Sequence, residues 1–526
     1  MKRYIYFLMI TLSTMLSAQE SADLNISMIE SEVFKSQHKK ADLNARHSDN
    51  AGGGYLLLNN YSDEVDYIVQ HINSDLQIDT EKTFSFDKER IMSSFLIDDT
   101  FYFITNVINK DTRKLEFRSY YTSDYAKTFD QKLFLEIPIE DLEIKIGFSK
   151  LVDFLVPSFK IDNVDKDRNG FISFSENKNF FAISFDKPET KTDEHLIFVF
   201  DKKFQLIHEL AIDSGEARDE KYNFVDMEVS DLDGTVYYLS KVTTKKNFFG
   251  IRKYEFEILK INQQSTQAFT FKKEGISYGS LRLRIDKLDN SLKAIGTYSE
   301  ISDYYDKGIV MVSFDPINLE EYTTSLSPFS DDLIAQKYGN SKKKELRQYF
   351  IRDIVQKDNG DFIFISEELK VIDRSNEYGH VSSPFYFQFK DILVAEVSNE
   401  GAINWVKNIN KHQEILNLAY LPMASFSGIV RNDEIYLFFN AKKILNKKNK
   451  PNVFFSSSVS PSRQYIVKLD NTGKMTYQEH TTDKPKMLYA TGEAIFSSEN
   501  NTTHLIITAS SLNKRKFLKI NLLESN

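Results

Sequence analysis

The sequence predicts an all-β fold in which one strand pattern recurs along the whole chain. Three observations predict it. Aromatic residues are abundant and almost all Phe or Tyr, with Phe 42, Tyr 27 and Trp 1, and Phe and Tyr favour pleated, half-buried surfaces. Short apolar-alternating runs ending in Asn, Asp or Ser return at intervals. Between them lie pairs of apolar runs split by Asp-Gly, Asn-Gly or Asn-Asp, which are hairpin signals because these residues accept positive φ.

The first kind of run is Tyr67–Asn73. It returns as Leu196–Asp201, Phe256–Asn262, Ile309–Asp315, Ile392–Ser398, Tyr465–Asp470 and Phe517–Asn521, with a weaker copy at Phe117–Thr122. Each copy but the last is followed by a second strand, such as Ile403–Ile409. The second kind is Met227–Tyr238, Ile354–Phe364 and Ile429–Phe438. Its tight turns fall near Gly53, Asp99, Gly170, Gly234, Asn290, Gly360, Asp433 and Asn501, at spacings of 46 to 73 residues. Each unit therefore reads strand a, tight turn, strand b, longer loop, strand c, turn, strand d.

About eight such units of about 64 residues fill the chain after its leader, and seven is the neighbouring count. Four antiparallel strands at a fixed period resemble the blades of a β-propeller. The resemblance is architectural: Trp-Asp dipeptides are missing, and Ser230–Tyr237 lacks the spacing of a sialidase Asp-box. Tandem β-sandwiches are the alternative. The last copy, Phe517–Asn521, has no fourth strand behind it, while Ile26–Phe34 is strand-like and has no partner in its own unit. The N-terminal segment is therefore expected to supply the outer strand of the last blade and remove an open edge. Ser327–Gln348 is the one candidate linker or internal boundary, and Ser330 ahead of Asp331-Asp332 is placed to cap a short helix.

Composition excludes several classes. Hydrophobic residues are 41% and charged residues 27% of the 526, which suits a folded chain with a sizeable core. Gly 19 and Pro 10 exclude collagen-like and low-complexity chains. With Cys 0 there is no disulfide, thiolate metal site, cysteine nucleophile or lipidated cysteine. A net charge of -9 argues against nucleic acid as partner. Residues 1–18 read as a secretory signal: Lys2 and Arg3, an apolar run from Tyr4 to Leu16 too short to span a bilayer, then Ser17-Ala18 before Gln19. Residues 19–526 form the repeat domain, with no transmembrane segment expected. A large exported chain without cysteine fits a bacterial periplasm or cell surface best.

Asp165-Lys-Asp167-Arg-Asn169-Gly170 through Glu176 satisfies the calcium-loop pattern of an EF-hand. Its flanks read as strands rather than helices, so turn chemistry is the simpler account. No metal or other cofactor is expected, and a site using Asp165, Asp167 and Asn169 is the weak alternative. No nucleophile elbow, phosphate loop or zincin pair occurs; His208-Glu209 lacks the second ligand.

Recognition is expected on the longer b–c loops, because aromatic and arginine residues on loops are the usual material of binding surfaces. These loops carry Phe248, Phe249 and Arg252 with Lys253, then Tyr304 and Tyr305, then Tyr378, His380 and Tyr386. The last carries Phe455 and Arg463 with Lys447 and Lys448. The expected function is an exported, non-enzymatic propeller that binds an envelope protein or glycan. A glycan hydrolase or lyase with a composite active site is the alternative.

Overall fold

In a computed structural model, residues 20–523 are described, apart from 22–23, 36–40, 62–64, 87–88, 98–99, 124–128, 140–170, 187–194, 213–220, 247–251, 301–304, 316, 321, 341, 343–344, 348, 374–384, 416–421, 446–453, 459–462, 481–486, 492–493, 500–501 and 512–513. The chain is an eight-bladed β-propeller, each blade a four-stranded antiparallel sheet with its strands ordered a-b-c-d. Blade 1 holds Ala41–Ser48, Gly54–Tyr61, Val65–Ile72 and Ile78–Ser85, and blade 2 holds Arg90–Ile97, Thr100–Asn109, Lys114–Thr122 and Asp130–Pro138. Blade 3 runs from Phe171–Phe174 through Phe180–Asp186 and His195–Asp201 to Leu206–Ile212. Blade 4 has Lys221–Val229, Val236–Lys246, Arg252–Ile261 and Thr266–Phe271. Blade 5 has Ser277–Ile285, Leu292–Ser299, Gly308–Phe314 and Tyr322–Pro328. Blade 6 is built of Phe350–Gln356, Phe362–Asp373, Phe385–Val397 and Ile403–Ile415, and blade 7 of Ser427–Arg431, Glu434–Ala441, Arg463–Leu469 and Met475–His480. Blade 8 takes Ile495–Glu499, Thr502–Ser511 and Lys514–Leu522 from the C-terminal end and Ile26–Glu30 from the N-terminal end.

The core explains why this sequence makes a ring. It divides into eight apolar clusters, one at each junction between neighbouring blades. Successive residues of a strand point to opposite faces, so each central strand serves two junctions. Leu56 and Leu58 pack against blade 8, while Leu57 between them packs against blade 2. Strands buried on both faces read as unbroken apolar runs, as in Leu196–Phe200 and Ile435–Phe439. The phenylalanines fill the gaps between twisted sheets: Phe117, Phe181, Phe185, Phe198, Phe200 and Phe204 all meet at the junction of blades 2 and 3. Rings that size each bury a large area and pack edge-to-face. Isolated sandwiches would leave some of these faces unpaired, and the alternative of tandem sandwiches is set aside.

The Asn, Asp or Ser that closes the c strands of all blades but blade 2 has a local cause. Asn73 Oδ1 accepts from the N–H groups of Asp75 and Gln77, Asp201 Oδ1 from Lys203 and Gln205, and Asp470 Oδ1 from Thr472 and Lys474. Asn262, Asp315 and Ser398 do the same work. These are side-chain-capped c–d turns. The eighth copy, Asn521, has no turn to cap. Its Nδ2 donates to Ser27 Oγ at 2.8 Å across the closing strand.

One tight turn lies elsewhere than the sequence suggests. Gly170 precedes strand a of blade 3, and the a–b turn there is Ser175–Asn179, with Lys178 at φ 55°. The spacing rule misplaces it because this turn takes its left-handed residue from lysine. The calcium-loop residues Asp165, Asp167 and Asn169 lie outside the described residues. Glu176, the twelfth position of that motif, sits in the a–b turn and pairs with Lys287 at 2.5 Å.

Ring closure has two stitches. Ile26–Glu30 pairs antiparallel with Leu518–Leu522, and Glu20–Ser21 pairs parallel with strand d of blade 7. Leu24 between them is buried in the junction of blades 7 and 8. Glu30 ends the strand in a clasp: Lys516 Nζ and Tyr489 Oη donate to it at 2.5 and 3.0 Å, and His480 Nε2 lies 3.1 Å away. Burial works to raise the Glu30 pKa, but the bonds from Lys516 and His480 outweigh it and hold the carboxyl below the usual range. A depressed carboxyl adds stability that is present above its unfolded pKa and is lost as pH falls through the folded one. Thermal melts below about pH 4.5 are therefore expected to fall more steeply for the natural chain than for Glu30→Gln; parallel curves would mean that the clasp contributes nothing.

The 327–348 region is an insertion between blades 5 and 6. It carries the helix Asp331–Tyr338, the one helix among the described residues. Ser330 Oγ accepts from Leu333 N–H at 3.2 Å, Asp331 and Asp332 occupy the positive end, and Gly339 ends it at φ 81°. Phe329, Leu333, Ile334, Leu346 and Tyr349 pack with both blades in one cluster. Residues 1–19 lie outside the described ones, and no helix among the described residues is long and apolar enough to cross a membrane.

Candidate functional site

The two ends of the ring differ. Strands a of successive blades lie side by side around the axis, so the a–b turns form one rim. This rim is sewn together between blades. Asn177 N–H donates to Asp231 Oδ2 at 3.0 Å, Lys178 Nζ to Leu96 O at 3.2 Å, and Gln356 Nε2 to Asp286 Oδ1 at 2.7 Å. Lys357 Nζ pairs with Asp433 at 3.0 Å. The only tryptophan, Trp405, lies against the c–d turn at Gly473 (φ +74°), where a Cβ would stand 2.7 Å from the indole, and donates to Asn471 O at 3.1 Å. A face of short, bonded turns is a structural rim.

The opposite end, where the b–c loops lie, is built up over blades 5 to 7. In blade 6, strands b and c run on past strand a, pairing from Leu369↔Phe389 to Asp373↔Phe385. Strand d follows them to Ile415, and a piece of the blade 7 b–c loop, Phe454–Ser458, adds to its edge in parallel. Lys443–Leu445 pairs beyond that, making a six-stranded sheet.

Two buried ionic clusters brace this sheet, one on each face, because Glu367 and Glu368 are consecutive and point opposite ways. Towards blade 7, Lys411 Nζ donates to Glu367 Oε1 at 2.7 Å, and Arg352 Nε to Glu367 Oε2 at 3.0 Å. Ser425 Oγ donates to the same carboxylate at 2.7 Å, and Gln413 bridges Lys411 to Ser425 N–H. Burial alone would raise the Glu367 pKa, but Lys411 and Arg352 hold it below the usual carboxylate range. Towards blade 5, Lys337 Nζ of the helix donates to Glu368 Oε2 at 2.5 Å and to Tyr349 Oη at 2.6 Å, and lies 3.4 Å from Asp391. Burial opposes its charge, yet Tyr349, Asp391 and Glu368 raise its pKa. Tyr349 Oη donates to Asn408, whose amide donates to Asp391 at 3.3 Å. Asp391 Oδ1 accepts from Lys411 N–H at 3.1 Å and so joins the two clusters. Nearby, Tyr349 N–H donates to Asp306 Oδ2 at 2.6 Å, and burial pushes the Asp306 carboxyl up to about 7.

With Glu367 and Lys411 both at 0% exposure, neither can touch a substrate, and the clusters act by fixing the sheet above them. Sequence reading passed over them. The signal was two adjacent glutamates inside the apolar run Phe362–Ile372, a place where a charge demands a buried partner.

The sequence-predicted site residues fare as follows. Phe248, Phe249, Tyr304, Tyr378 and His380 lie outside the described residues, as do Lys447 and Lys448. Arg252 opens strand c of blade 4 opposite Lys246, and Tyr386 sits in the blade 6 extension opposite Ile372. Tyr305 is 42% exposed and pairs with Arg347 in a two-residue ribbon on the insertion. Arg463 is exposed and paired with Glu479. Phe455 is a correction: it is fully buried against Phe439, Tyr465 and Tyr477, because its segment is a strand rather than a loop. It belongs to the core between blades 6 and 7. Among the described residues no group of His, Asp and Glu has the geometry of a metal site.

No protein-family model and no curated protein matches the chain. The solved structures it resembles do so at low identity and low structural overlap. The β-propeller domain of the trilobed protease from Pyrococcus furiosus, with open velcro topology, is 9% identical at a TM-score of 0.35, over 82% of this chain and 94% of that one. Prolyl oligopeptidase B from Galerina marginata is 9% identical at 0.38, over 90% of this chain and 55% of that one. Trypanosoma rangeli sialidase is 9% identical at 0.29, over 96% and 60%. The propeller assignment rests on the chain's own strand pairing and its eight closed junctions.

Proposed function

We propose that the protein is an exported binding scaffold of the bacterial cell envelope, which holds a protein or glycan partner on its b–c face over blades 4 to 7. The observation that carries this reading is the asymmetry of the two ends. One rim is closed by short turns bonded to each other. The other is raised over blade 6 into a six-stranded sheet whose charges are buried and paired beneath it. A rigid platform at the base of long aromatic and basic loops is what recognition requires, since pre-ordered contacts cost less entropy on binding. Export rests on the leader-like residues 1–18, and the cations of the loops suit an acidic surface.

The test is capture from envelope extracts by the natural chain and by the combined variant Phe248→Ala, Tyr305→Ala and Tyr386→Ala. Thermal melting of the variant beside the natural chain separates a loss of binding from a loss of fold. The variant's capture of the partner is expected to weaken by more than roughly tenfold, about 1.4 kcal/mol. Undiminished capture would place recognition elsewhere. Release of shortened glycan on incubation with envelope polysaccharide would instead support a hydrolase or lyase.

A further inference from the structure

The raised part of blade 6 leaves an edge open. Strand a pairs with strand b only as far as Phe350↔Glu367. Its chain turns away there because Tyr349 N–H is bound by Asp306 and not by the sheet. Strand b continues to Asp373 and is paired on its other side by strand c. Among the described residues no strand covers Leu369–Asp373 on the side towards the ring axis. About half the backbone N–H and C=O groups of an antiparallel strand turn to each edge, so this stretch presents a short row of them on the b–c face.

Two lysines and an arginine lie around this edge. Lys370 is exposed and Val371 is 40% exposed. Lys390 lies on the same face as Lys370 by strand alternation and is 3.3 Å from Glu368. Arg347 is exposed, and its backbone N–H donates to Tyr338 Oη at 3.2 Å, on the helix whose Lys337 donates to Glu368. Tyr305 stands opposite Arg347. The edge is also held still, since Glu367 and Glu368 at its root are clamped on both faces.

We propose that this edge accepts an extended acidic segment of a partner polypeptide as an added β-strand, with Lys370, Lys390 and Arg347 supplying the complementary charge. This deepens the recognition reading of the same face and rests on it. Backbone pairing supplies affinity in such an arrangement, and flanking side chains supply the choice of partner. A second copy of this chain is disfavoured as occupant by its net charge of -9.

The experiment uses the full mature chain and fluorescent synthetic peptides of about ten residues that alternate Glu with Val. Saturable binding is expected by anisotropy, weakened at least roughly tenfold by Lys370→Glu with Arg347→Glu. N-methylation of one alternate set of peptide amides is expected to abolish binding, and of the other set to leave it, because an added strand pairs through one edge only. In the free protein, alternate amides of Leu369–Asp373 are expected to exchange fast with solvent and to become protected by peptide. No binding at about 1 mM, indifference to N-methylation, or uniformly slow exchange in the free protein would overturn the proposal, the last by showing the edge already covered by the chain itself. If partner capture still depends on Phe248, Tyr305 and Tyr386 when the edge test fails, the edge is wrong and the recognition face stands.

Discussion

Replacing Glu367 with Gln is expected to cost more stability than any other single change in the blade 6 platform, about 3–5 kcal/mol. The reason is charge arithmetic in a place without water. Glu367 lies between Lys411 and Arg352, and all of them are largely withdrawn from solvent. Removing its charge leaves two buried cations facing each other with only Asp391 close by, through the Lys411 backbone. Lys411→Met keeps an unbranched side chain of similar length and leaves Glu367 and Arg352 as a matched pair, so about 1–2 kcal/mol is expected, mostly for hydrogen bonds lost by Gln413 and Glu367. Chemical denaturation of the two variants decides the matter. Equal costs, or a greater cost for Lys411→Met, would mean that packing rather than charge sets the stability of this junction.

Deleting the segment up to Lys35 is the second large effect. It removes the outer strand of blade 8, the parallel pair on blade 7 and the buried Leu24. Ile26 and Met28 pack on the same junction. Burying one Leu and half-burying two more apolar side chains is worth about 4 kcal/mol, before any backbone pairing is counted. The deletion also exposes strand Lys514–Leu522 as an open edge, which invites self-association. A fall of several degrees in melting temperature is expected, with recovery when the missing segment is supplied as a separate peptide. An unchanged melting temperature would contradict closure through the N-terminal strand.

Local chemistry was legible in the sequence; contacts between distant segments were not. All eight c strands could be read because each carries its apolar alternation and, in most copies, its turn-capping Asn, Asp or Ser on the same short stretch. The closing strand could be inferred from a missing fourth strand at Asn521. The blade 3 turn is hidden in the sequence because its left-handed residue is Lys178, a residue type that a search for Gly or Asn passes over. Phe455 lies among lysines and serines and so resembles a loop residue, but its partners Lys411 and Tyr465 come from two different blades. The ionic braces were invisible for the same reason. Glu368 meets Lys337 of the helix and Glu367 meets Lys411 of strand d, and nothing in the spacing of these residues announces either pair.

The recognition proposal is tested most directly by amide hydrogen exchange of the protein alone and in the presence of any partner that the proposed capture experiment yields. Protection is expected on the b–c face, at Tyr305, at Lys370 and Val371, and in the loops around Phe248 and Tyr378. The a–b turns at Leu232 and Leu288, both exposed at the opposite rim, are expected to exchange alike in the two states. Protection of those turns with an unchanged b–c face would contradict the account.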